Sequence, residues 1–222
     1  MLQQFHYSNQ LTFFQKIRSF DFTLLFCILI IGIISIFAMY STDGGDALYH
    51  TKNHILRFMI FFSLMIFLSF VNIKFWHATG YVFYIIVLLL LIGASFYGVK
   101  AQGSQRWINL YFINLQPSEL MKIAIIVCFA KYYHRVQINN VNKIISLAIP
   151  IVILIIPIFL VVAQPDLGTS VLIALSGLMV LWLAGVNVKY FVYSSLIFII
   201  STPFVISFLK PYQKLRILSF FD

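Results

Sequence analysis

The sequence predicts an all-α protein, a polytopic integral membrane helix bundle with about seven transmembrane helices. Of its 222 residues, 62% are hydrophobic and only 9% are charged, and the mean hydropathy is +0.98. A soluble domain carries about 25% charged residues, so this chain could not cover its own surface in water. The apolar residues also gather into runs long enough to cross a hydrocarbon core, which takes about 20 helical residues. Aromatic residues are abundant, with 24 Phe, 12 Tyr and 3 Trp, as lipid-facing and interfacial helices allow.

In chain order, a polar and aromatic tail, residues 1–20, carries Lys16 and Arg18 and leads into the transmembrane region, residues 21–209. The first apolar run is long and lacks a small-residue cleavage site, so no cleavable signal peptide is expected. Spans are predicted at about 22–40, 55–73, 77–98, 118–134, 144–163, 170–186 and 190–209. Pro150 and Pro157 fall inside the fifth and Pro203 inside the seventh. Each proline removes a backbone hydrogen bond and crowds the carbonyl one turn back. Kinks are therefore expected, with the freed carbonyls finding partners inside the bundle. Residues 210–222 follow the seventh span as a short basic stretch.

Seven crossings alternate sides. The loops at 41–54, 99–117 and 164–169 and the stretch 210–222 then share one face, and that face holds most of the chemistry. The Lys and Arg count does not fix the orientation, with seven on each side. Lys16 and Arg18 precede the first helix and Asp43 and Asp46 follow it, which favours a cytoplasmic N-terminus. The net charge of +9 comes from a scarcity of acids. Without a basic soluble face, no nucleic-acid role is expected, whereas anionic lipid or a lipid-linked anion fits the charge. Cys27 and Cys128 lie in apolar runs and form no disulfide framework. His50 and His54 stand four apart without a third ligand, so no metal site is read there.

Three polar spots stand out. In Gln116-Pro117-Ser118-Glu119 through Lys122, Pro117 suits the first helical position. Glu119 suits the first turn, and Lys122 is placed to pair with it. Gln164-Pro165-Asp166-Leu167-Gly168-Thr169-Ser170 repeats the Gln-Pro-acid theme at the matching face. There Asp166 either caps the next helix or joins Glu119 and Lys122 around a polar cavity. Lys210, Lys214 and Arg216 with Tyr212 either suit a pyrophosphate or snorkel to lipid headgroups.

Together with Gly103-Ser104-Gln105-Arg106-Trp107-Ile108 and Lys210-Pro211-Tyr212-Gln213, these motifs resemble the SEDS family, the shape, elongation, division and sporulation proteins. The elongation branch is the nearer match. The resemblance implies a bacterial cytoplasmic-membrane peptidoglycan glycosyltransferase that polymerises lipid II on the outer face, serving cell elongation and rod shape. It also implies a class B penicillin-binding protein as partner. A carboxylate base would activate the attacking sugar hydroxyl, and basic groups or a divalent cation would stabilise the departing pyrophosphate. Carried over by position, Gln116, Ser118, Glu119, Lys122, Gln164 and Asp166 would line the cavity. Arg106, Trp107, Lys210, Tyr212 and Arg216 would frame its mouth.

The family's ten helices include a large outer loop after the seventh, reading roughly Asp/Asn-Pro-x-x-Asp-Pro-x-Gly and holding the proposed catalytic aspartate. The resemblance implies that residues 210–222 begin this large extracytoplasmic loop. Asp222 matches the first position of that pattern, so the expected catalytic Asp lies beyond Asp222 and no catalytic residue is assigned here. On this reading the chain is a fragment, inactive on its own. Two alternatives stay open: a lipid-linked precursor flippase, and a non-catalytic scaffold of the wall-synthesis complex.

Overall fold

The computed structural model describes residues 13–46, 49–101, 104–109 and 114–208, and they form two compact units divided at Ile73 and Lys74. The first holds α1 (Phe13–Arg18), α2 (Phe22–Thr42) and α3 (Tyr49–Ser69). Asp21 caps α2, accepting the Leu24 N–H at 3.0 Å. After α2, the Asp43 carboxylate accepts the Thr51 N–H at 2.9 Å and the Thr51 hydroxyl at 2.6 Å. That bond satisfies a first-turn donor of α3, which otherwise has no partner within the helix. The capped helix starts at Tyr49, six residues earlier than the hydrophobic run indicates, and it takes in both His50 and His54. His54 Nε2 in turn bonds Ser35 Oγ of α2. Among its described residues α2 buries only Gly32, so nearly all of its apolar side chains face outward, as lipid contact requires.

The second unit holds α4 (Ile73–Tyr97, whose first residue belongs to the other unit), β1 (Val99–Ala101), β2 (Ser104–Asn109), β3 (Asn114–Leu115) and α5 (Pro117–Arg135). A 3-10 turn (Ile138–Asn140), α6 (Ile144–Ala163), α7 (Leu167–Leu183) and α8 (Val188–Phe208) complete it. The three strands form one small antiparallel sheet in the order β1-β2-β3, pairing Val99 with Trp107 and Ile108 with Leu115. This sheet inside an otherwise helical chain is not legible in the sequence. Its strands are short, and Ser104–Asn109 mixes polar and apolar residues on both faces instead of alternating cleanly.

α7 packs against α5 and α6. Buried positions of α5 recur at Met121, Ala124, Ile125, Cys128 and Phe129, the three- and four-residue spacing of one helical face. Small residues allow the close approaches expected between membrane helices: a Cβ at Gly80 would lie 3.1 Å from the Val127 carbonyl oxygen. Of the seven long helices, α2, α3, α4 and α6 are long and apolar enough to cross a membrane by length and composition. α7 has only 17 residues, and α5 carries Glu119, Lys122, Lys131 and Arg135.

α6 runs through both of its prolines without a break. Pro157 deprives the Ile153 carbonyl of its helical donor and Pro150 deprives that of Ser146. Tyr84 of α4 donates its hydroxyl to the Ile153 carbonyl at 2.8 Å, and Tyr133 of α5 donates to that of Ser146 at 3.4 Å. Each orphaned acceptor is thus met by a tyrosine from a different neighbouring helix.

Candidate functional site

The site is built where α6 hands over to α7. Asp166 occupies the N-cap of α7, where its Oδ1 accepts the Thr169 N–H at 3.3 Å. Its other oxygen, Oδ2, faces two donors from distant parts of the chain. Arg106 Nη1 of β2 lies 2.8 Å away and Gln116 Nε2 lies 3.0 Å away. Gln116 is the N-cap residue of α5, with Pro117 at the first helical position, yet its side chain makes no capping bond. It reaches across to Asp166 instead. One carboxylate therefore joins β2, the start of α5 and the start of α7.

The pair is largely withdrawn from solvent, with side-chain exposures of 18% for Arg106 and 9% for Asp166. Burial pushes the Asp166 carboxyl up, but the Arg106 guanidinium and the Thr169 hydrogen bonds outweigh it. The net effect holds Asp166 below the ordinary carboxylate value of 3.8, so it is ionised at neutral pH. Arg106 Nε and Ser118 Oγ are buried with no hydrogen-bond partner among the described residues. Buried polar atoms are normally satisfied by protein, water or ligand.

Glu119 and Lys122 form a second, separate pair, Nζ to Oε2 at 2.8 Å. With 55% of its side chain exposed, Glu119 is far more open than Asp166. No side-chain hydrogen bond or ion pair among the described residues links Glu119 or Lys122 to Asp166. Asp166 is balanced instead by Arg106, whose guanidinium lies against the carboxylate itself. Gln164 is buried, and its amide donates to the Leu91 carbonyl at 3.1 Å and to Ser95 Oγ at 2.5 Å, tying the end of α6 to α4. Trp107 is half-buried on β2. Lys210, Tyr212 and Arg216 lie outside the described residues.

Long-range partners such as Gln164 with Ser95, or Tyr84 with Ile153, escape sequence reasoning because neither residue carries a local signal for the other. A metal fits poorly here. No three His, Cys, Asp or Glu side chains cluster among the described residues, and both Asp166 oxygens are already engaged.

A helical multi-pass membrane protein with a buried ion pair at one end of its second unit is the class these features define. A family model described as a cell cycle protein, FtsW/RodA/SpoVE, matches residues 17–222, and the chain belongs to that family. It is 32% identical over 215 residues to the probable peptidoglycan glycosyltransferase FtsW of Buchnera aphidicola subsp. Baizongia pistaciae, covering 93% of this chain and 56% of that protein. It is 30% identical over 215 residues to the peptidoglycan glycosyltransferase MrdB of Escherichia coli K12, covering 96% and 57%. The chain thus spans a little over half the length of the curated relatives it matches.

Solved structures share the fold. A chain from a peptidoglycan synthase complex that coordinates polymerization and crosslinking superposes with a TM-score of 0.73 at 23% identity, covering 90% of this chain and 58% of that one. The rod shape determining protein RodA of Thermus thermophilus gives 0.69 at 21% identity, covering 79% and 57%.

Proposed function

We propose that this chain serves peptidoglycan glycan polymerisation, acting on lipid II at the outer face of the bacterial cytoplasmic membrane. Its N-terminus lies in the cytoplasm, and a class B penicillin-binding protein is its partner. The observation that carries the reading is the Arg106–Asp166–Gln116 junction, in a chain whose relatives bear the name of that activity. In this proposal the two pairs divide the work. Asp166 is fully engaged and fixes the sheet against the starts of α5 and α7. Glu119 is open to solvent and Lys122 half-buried beside it, and this pair meets the substrate, Lys122 facing phosphate oxygens and Glu119 the sugar hydroxyls.

Chemistry at the anomeric carbon needs a base for the attacking hydroxyl and positive charge for the departing pyrophosphate. Lys122 supplies charge of the second kind. A divalent cation could supply more of it, but the described residues offer no cluster to hold one.

The test is binding of labelled lipid II to the protein reconstituted with its penicillin-binding partner. Saturable binding is expected, weakened about tenfold by Lys122→Ala, the scale of one lost charge-assisted contact. A Lys122→Ala protein that binds lipid II as well as the parent would contradict the proposed role. Transbilayer movement of lipid II that depends on the protein, without chain growth in the assembled complex, would favour the flippase reading.

A further inference from the structure

The second unit has another concentration of charge, at the opposite end of α5. Here the start of α4 meets the end of α5. The rings of His77 and His134 lie 4.8 Å apart, edge to face. Lys131 Nζ donates to the Ala78 carbonyl at 2.5 Å and sits 4.6 Å over the Tyr81 ring. Arg135, the last residue of α5, brings a further positive charge to the same end. Among the described residues of the second unit the acids are Glu119 and Asp166, which stand at the far end of α5 and at the start of α7. α5 has 19 residues, which separates its two ends by about 28 Å.

A helix C-terminus attracts cations, which accounts for His134 and Arg135 on α5. It does not account for His77 on the neighbouring helix, nor for Lys131 being tethered toward α4. His77 Nε2 is also buried and has no hydrogen-bond partner among the described residues. A buried ring nitrogen without a partner leaves a hydrogen bond for a further group, and beside Lys131 and Arg135 an anionic oxygen suits the positive surroundings. Trp76, one residue away, packs edge-on against Phe75 and Phe83, the aromatic setting found at headgroup depth.

We propose that this α4–α5 end binds the phosphodiester headgroup of an anionic phospholipid, held by His77, Lys131, His134 and Arg135. Basic pockets between helices at a membrane surface recognise lipid phosphate in this way. The site is independent of the Arg106–Asp166 junction and of the activity proposed above.

Native mass spectrometry of the purified protein, titrated with phosphatidylglycerol or phosphatidylcholine, reads the site directly. Phosphatidylglycerol is expected to be retained in preference to phosphatidylcholine. The double variant His134→Ala/Arg135→Gln, at two exposed positions, is expected to lower that retention about fivefold or more. The control Lys52→Gln/Arg57→Gln removes two exposed cations of α3 and is expected to leave it unchanged. Equal retention of the two lipids, or equal loss in the control, would overturn the proposal. Displacement of phosphatidylglycerol by millimolar inorganic phosphate would also overturn it, since the ligand would then be free phosphate and not a lipid.

Discussion

Asp166 carries three bonds on two oxygens, and its value lies in the partner that leaves last. Removing one member of a buried pair strands the other charge, at a cost of about 3 kcal/mol. Arg106→Ala is therefore expected to lower thermal stability in detergent markedly, and Asp166→Asn less, because an amide oxygen can still accept the Thr169 N–H. In a double-mutant cycle the combined variant should lose less than the two single losses added together, and strict additivity would deny the coupling. The pH dependence has a definite sign. A depressed carboxyl stabilises the fold fully above its ordinary value of 3.8 and loses that contribution as pH falls through the lowered folded value. Melting temperature should hold steady from neutral pH down to about 5, then fall below about 4, with a shallower fall in Asp166→Asn. The spacing-based features at this scale are the cap at Asp166 and the Glu119–Lys122 pair, and both have partners three residues away. Such neighbours are readable from one helix turn. Arg106 and Asp166 are sixty positions apart, and only the fold brings them together.

At the scale of elements, α6 shows how a proline-bearing helix is kept whole inside a membrane. With no water to satisfy a freed carbonyl, a neighbouring helix must do it. The Tyr84–Ile153 bond is the shorter of the two. Tyr84→Phe should therefore cost about 1 kcal/mol and Tyr133→Phe less, since a long hydrogen bond contributes little. The decisive comparison is Tyr84→Phe with Pro157→Ala. Alanine restores the N–H that Ile153 lacks, so the double variant should recover stability lost by the tyrosine change. Recovery measured by hydrogen exchange along α6 would bear this out, and a further loss would refute it. That the prolines need partners is evident from the sequence; which tyrosines provide them is not, because the answer depends on the packing of α4 and α5 around α6. The small sheet of β1, β2 and β3 was hidden for a related reason. Its strands are too short for periodicity to register, and pairing alone defines them.

For the whole molecule, hydropathy made the membrane class plain, since a chain with so few charges has no alternative solvent. What it did not settle is how α5 lies. This helix carries four charged residues, Glu119 and Lys122 near its start and Lys131 and Arg135 near its end. Charges at helix ends reach the interface at lower cost than charges at the bilayer centre, so α5 can cross with both ends polar. The account requires that it does: the Arg106–Asp166 junction belongs to one membrane face and the His77–His134 cluster to the other. Asn114 and Asn139 flank α5 at exposed positions. With Cys27 and Cys128 replaced by serine, single cysteines at these two sites can be probed with a membrane-impermeant maleimide on intact cells. The account predicts that Asn114→Cys is labelled from outside and Asn139→Cys only after permeabilisation. Labelling of both from the same side would contradict it.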